Sequence, residues 1–289
     1  MVVEPRDGVS TPQEDEVRTT SNPAFRNLPT GGGSGNYAGF GQPYQAQQQP
    51  YPGQQYGGYQ PAPPTTGERP ITIDDVVTKT ATTLGVAILT GFASAWMVLS
   101  GAVAPFALAV PGMIVGLVLA LIIIFKQKPS GPMVLAYSAA EGVFLGAITG
   151  VFEAMFSGIA WQAILGTFGV FAAMLVVYKT GAIRVTPRLT KWIIGATVGV
   201  VVLMLGNLVM GLFGVNMGLR DGGTLAIIFS LVVIGIAAFS FLLDFEAANE
   251  MIRAAMPAKY AWLAAFGLMT TLVWLYLEIL RLLSYFQND

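Results

Sequence analysis

Polar and apolar positions divide the chain sharply in two. From Val76 onward, apolar runs of about 20 residues follow one another with short polar connections between them, each long enough to cross a bilayer as a helix. The runs fall near 77–100, 105–125, 133–156, 160–178, 192–214, 224–243 and 260–284. Ahead of them, "GGGSGNYAGFGQPYQAQQQPYPGQQYGGYQPAPPTTGERP" (31–70) is built from Gly, Gln, Pro and Tyr, with almost no aliphatic residue. Such a segment buries too little apolar surface to offset its ordering entropy, so a disordered tail is expected. No apolar stretch in it reads as a cleavable signal peptide. The expected organisation is a disordered tail over 1–70 and, over 71–289, an all-α membrane domain: a bundle of seven transmembrane helices.

Composition sharpens this picture chiefly by exclusion. Apolar residues make up 54% of the chain and charged residues 11%, against about a quarter charged in an ordinary soluble domain. The formal charge of −1 offers no basic surface for nucleic acid. The chain contains no Cys and no His. That excludes disulfides, iron–sulfur clusters, the usual zinc sites, Ser-His-Asp catalysis and a histidine pH switch. Proton chemistry must therefore run on Asp and Glu.

The few basic residues set an orientation. Lys126 and Lys128 fall in one connection, Lys179, Arg184, Arg188 and Lys191 in another, and Arg253 and Lys259 in a third. All three lie on one side of a seven-span bundle, and the opposite connections hold only Arg220. The positive-inside rule makes the basic side cytoplasmic, with the tail inside and the C-terminus outside.

An ionisable residue inside a span costs roughly 2.5–3.5 kcal/mol on insertion scales, so each is a candidate for function. Glu141 lies in the third span beside Gly142, Gly146 and Gly150. The spacing of four puts the glycines on one face, where another backbone can approach closely. Glu141 is one residue off that ridge and is expected to face protein, as a pore acid or a packing acid. Glu153 is at the outer end of the same helix. Asp244 ends the apolar run of the sixth span at its cytoplasmic mouth, and Glu246, Glu250 and Arg253 follow it with the spacing of a solvated helical face. Glu278 and Arg281, in the outer part of the seventh span, are three apart and can pair within one helix.

Four stretches carry a resemblance. "YSAAEGVFLGAITG", "GTFGVFAAMLVVYKTGAIRVTPRL", "LLDFEAANEMI" and "AFGLMTTLVWLYLEILRLL" resemble the Bax inhibitor-1 (transmembrane Bax inhibitor motif) family, in particular its bacterial YccA-like branch. The resemblance covers about residues 70–286. It implies a seven-helix fold with the seventh helix at the centre, in the cytoplasmic membrane of a bacterium. It also implies a pH-sensitive calcium leak rather than an enzyme, with Ca²⁺ as permeant ion and no cofactor. In relatives an acid ending the sixth span shares a proton with one in the seventh. Asp244 matches the first position, and "LYLE" makes Glu278 the match for the second. Registering the seventh span on "ILRLL" places Thr271 there instead. Arg281 or Lys126 is a candidate charge partner, in place of an arginine that relatives carry in the second span. Glu278 is 18 residues into its helix, about 27 Å from the cytoplasmic end at 1.5 Å per residue, whereas Asp244 is at the cytoplasmic mouth.

Two other readings belong to different classes. Some bacterial relatives are linked to a membrane-bound ATP-dependent protease, and the tail is a handle such a partner could engage. An intramembrane aspartyl protease also needs two acids on neighbouring helices, but its Gly-rich motif is missing around both Asp244 and Glu278.

Overall fold

The computed structural model describes residues 68–128, 130–215 and 217–287. The expected tail over 1–70 falls almost entirely outside these residues, as does the C-terminal Asp289. Seven helices follow in order: α1 Ile73–Leu99, α2 Pro105–Lys126, α3 Gly131–Met155, α4 Ile159–Thr180, α5 Pro187–Leu212, α6 Thr224–Arg253 and α7 Ala261–Gln287. All seven are long and apolar enough to cross a membrane, and no strand occurs among the described residues. The chain is a multi-pass membrane protein.

Helix starts lie upstream of the apolar runs where polar caps begin them. Thr72 and Asp75 form a capping box, so α1 starts at Ile73 rather than near 77. Arg69 grips the same Asp75 with two nitrogens, at 2.7 and 2.6 Å. Thr186 accepts from the Leu189 N–H, and Pro187 occupies the first turn, so α5 starts at 187 rather than near 192. α6 does not stop at 243. Nothing in 244–253 breaks a helix, and the run continues to Arg253 before Ala255 takes a positive φ of 49° and Pro257 turns the chain.

The seventh helix is central, as the resemblance implied. Of its apolar stretch, 78% lies inside the protein, against 11% for α5. α1, α3, α4 and α6 all pack against α7, whereas α2 leans on α3 and α5 chiefly on α6. On the basic side, the residues before α1 clasp the α6–α7 connection. Ile71 N–H donates to the Met256 carbonyl, Ala258 N–H to that of Arg69, and the Lys79 ammonium to that of Ala258.

α1 and α3 meet backbone to backbone. A Cβ on Gly142 would collide with Ala87 and Thr90, and one on Gly146 with the Gly91 carbonyl. The glycine ridge expected on α3 is thus occupied by α1. A second close contact runs from α2, where a Cβ on Gly112 would lie 2.9 Å from the Phe144 nitrogen. With no hydrophobic driving force between helices in lipid, such close approach is the principal source of association.

Candidate functional site

Charged and hydroxyl side chains within the bundle gather on or around α7, at three levels along it. The first is the contact of α6 with α7. Ser240, Phe241, Leu242, Leu243, Asp244 and Phe245 are consecutive and all buried. At 100° per residue they cover the whole circumference of α6, so the helix is enclosed on every side at this level. Asp244 is 2% exposed. It therefore lies inside the bundle and not at an open cytoplasmic mouth, because the helix and its neighbours continue past it. The Thr271 hydroxyl of α7 donates to its Oδ2 at 2.5 Å. Aromatic rings wall this level from α4 and α6: Phe171 meets Phe241 edge-on at 5.3 Å and Phe245 at 5.7 Å, and Tyr178 meets Phe245 at 5.5 Å.

Just beyond Asp244, Glu246 is fastened to α4. Tyr178 donates to Glu246 at 2.7 Å and accepts from Asn249 at 3.1 Å, while Arg253 lies 3.4 Å from Glu246.

The second level joins α3 to α7. Glu141 faces protein, as expected: its Oε1 lies where a Cβ on Gly116 of α2 would be 2.8 Å away. Only glycine at 116 lets the carboxyl lie against α2. The Tyr137 hydroxyl, one turn before Glu141 on α3, is 3.4 Å from the Thr270 hydroxyl. Thr270 precedes Thr271, so polar groups run from Glu141 through Tyr137 and Thr270 to the turn of α7 from which Thr271 alone reaches Asp244. Tyr137 and Thr270 were not singled out from sequence. A Tyr four residues before a Glu inside a span is the signal that was there to find.

The third level is Glu278, again 2% exposed. Its Oε1 accepts from Arg281 at 2.7 Å and from Arg220 at 3.3 Å, and its Oε2 is buried with no hydrogen-bond partner. Neither oxygen is hydrogen-bonded to Asp244. The expected pairing of Asp244 with Glu278 does not form. Glu278 is two helical turns beyond Thr271, about 10 Å along the axis. The alternative register, with Thr271 opposite Asp244, is the one observed. The intrahelical Glu278–Arg281 pair is present, but Arg220 joins it from the α5–α6 connection, where it also contacts the Met204 sulfur at 3.1 Å. Burial, and then the like charge of Arg281, pull the Arg220 guanidinium below its usual value, and Glu278 opposes both. A guanidinium nonetheless stays cationic across the physiological range.

Glu153, the remaining acid of α3, caps the next helix. It accepts from the Gly158 and Ala160 N–H groups at 2.6 and 2.9 Å, at the positive end of the α4 dipole.

The sequence model of a family described as Bax inhibitor 1 like matches residues 22–288. The match begins ahead of the Gly/Gln/Pro/Tyr-rich segment over 31–70 and takes it in. No curated protein matches the chain.

Proposed function

The chain belongs to the Bax inhibitor 1 like family, and on that premise we propose that it is a proton-gated calcium leak whose titrating acid is Asp244. The observation that carries this reading is a carboxyl group enclosed on every side of its helix, with a hydroxyl of the central helix 2.5 Å away. Such a group is held at a cost that packing alone does not require, since an apolar residue would serve α6 better. In the protonated form it is neutral, and its contact with Thr271 holds α6 against α7. In the ionised form a carboxylate among Phe241, Phe245 and their neighbours is poorly solvated relative to water, which favours separation of the two helices. A carboxylate exposed by that separation is a hard oxygen ligand suited to a passing Ca²⁺. Glu141 and Tyr137 continue the polar lining toward α3.

The basic connections support a bacterial cytoplasmic membrane with the tail inside. The test is flux in proteoliposomes across a pH series, with calcium compared against other cations. Asp244→Asn is expected to remove the pH response. A variant whose flux and pH profile match the wild type would sink the reading. Modulation of a membrane-bound ATP-dependent protease through the tail has its own readout. Deleting residues 1–68 leaves flux intact if the protein is a leak, and abolishes partner pull-down if the tail is a handle.

A further inference from the structure

An apolar cavity of about 250 Å³ lies between α1, α3, α4 and α7, clear of the Asp244 contact. This is well above the ~150 Å³ at which an apolar cavity already takes in benzene. Its floor is α7, with Met269, Leu272 and Tyr276, and its two rims are α1, with Ile88 and Phe92, and α4, with Ile164 and Phe168. The rims are open to the surroundings: Phe92 is 71% exposed, whereas Met269 and Leu272 on the floor are buried.

We propose that this cavity is a binding site for one phospholipid acyl chain, entering from the leaflet opposite the basic connections. Three observations fix the occupant. The cavity is at membrane depth, so the phase at its mouth is hydrocarbon. Its polar atoms satisfy one another: the Thr149 and Tyr276 hydroxyls are 2.7 Å apart, Thr149 also donates to the Leu145 carbonyl, and Thr167 donates to that of Ala163. Nothing in the lining asks for water, which needs two to four polar partners. The length also fits. The α1 rim runs from Leu84 to Ala95, about 16 Å at 1.5 Å per residue, against about 15 Å for half of a 30 Å hydrocarbon core. The α4 rim starts at Ala160, in the first turn after the α3–α4 connection, so the headgroup end is at Ala95 and Ala160 and the methyl end at Leu84 and Met269.

The test uses the full chain in phosphatidylethanolamine–phosphatidylglycerol vesicles doped with a phospholipid carrying a diazirine on its acyl chain. After irradiation, adducts are mapped by peptide mass spectrometry. A diazirine near the methyl end is expected to label Met269 and Leu272, which bulk lipid does not touch, and one near the headgroup to label Ala95 and Ala160. Ile164→Trp fills the cavity and is expected to abolish the floor adducts. Leu165→Trp adds the same bulk on an exposed position outside it and keeps them. Leu84→Phe narrows only the deep end and is expected to lose the methyl-end adducts alone, so the proposal stays testable if Ile164→Trp fails to fold. Adducts confined to exposed positions such as Leu89 and Leu165 would overturn it. So would floor labelling that survives Ile164→Trp, a reversed order of depth, or crosslinks between two copies of the chain across this face.

Discussion

Asp244 and Glu278 are buried to the same degree, each 2% exposed, and neighbouring groups treat them in opposite ways. Asp244 faces a neutral hydroxyl on another helix. Glu278 faces two guanidiniums, one from its own helix and one from a connection. Equal burial therefore says little about what an acid is for; the charge of its neighbours decides. At the Thr271 contact, a proton gained or lost by Asp244 strands no ion on the hydroxyl. Glu278 sits against two guanidiniums, and a neutral residue in its place would leave Arg281 and Arg220 uncompensated beside each other. The first is suited to switching and the second to holding.

The sharpest test of that contrast is the pair Asp244→Asn and Glu278→Gln. Asp244→Asn is expected to abolish the pH dependence of calcium flux in proteoliposomes while leaving the protein folded. Glu278→Gln is expected to do the reverse, keeping the pH profile. It should lower thermal stability in detergent by about 2–3 kcal/mol, less than the 3–5 typical of a fully enclosed pair because its arginines remain partly exposed. A pH profile altered by Glu278→Gln and spared by Asp244→Asn would invert the assignment.

The two arginines come next. Arg281 is at 2.7 Å and Arg220 at 3.3 Å from the same oxygen. Charged hydrogen bonds contribute about 1.5–3 kcal/mol, so Arg281→Gln is expected to destabilise more than Arg220→Gln. Thermal unfolding of both variants, alone and combined, checks the order, and the double variant should cost less than the sum of the two. The smallest effect is expected for Thr271→Val, which removes one hydrogen bond worth about 1 kcal/mol. Its melting temperature should fall slightly while flux remains pH-responsive. A complete loss of pH response in Thr271→Val would make the hydroxyl, and not the acid alone, the switching element.

What was legible in the sequence follows from the range of each interaction. Seven spans are written in local hydropathy, and the ridge at Gly142, Gly146 and Gly150 is written in helical periodicity, so both could be read without a partner in view. Asp244 also stood out, as a charge closing an apolar run. Its α7 neighbour was a different problem. Which residue of α7 faces Asp244 depends on the axial offset of two helices, and the short connection through Ala255 and Pro257 sets that offset. A choice between Thr271 and Glu278 is a choice between positions two turns apart, and no periodicity in either helix distinguishes them. Arg220 escaped for a related reason. Counted as a loop charge it speaks only to orientation, yet as the lone basic residue of its side it was the natural partner for an acid in the outer part of α7. Helix ends were misread where hydropathy stops short of the caps, as at Thr72 and Thr186.

The peripheral position of α5 has a consequence for how the chain can change over time. Its side chains mostly meet lipid, as with Trp192, Val202 and Leu212, and a lipid-facing position constrains hydrophobicity but not shape. Along most of its length α5 is therefore free to exchange one aliphatic residue for another without disturbing the helices that hold Asp244. That freedom ends at Met204, which touches Arg220 and through it Glu278. Divergent copies of this protein should accumulate substitutions in α5 fastest and least consequentially, with a quiet patch around Met204 marking where the outermost helix is bolted to the innermost one.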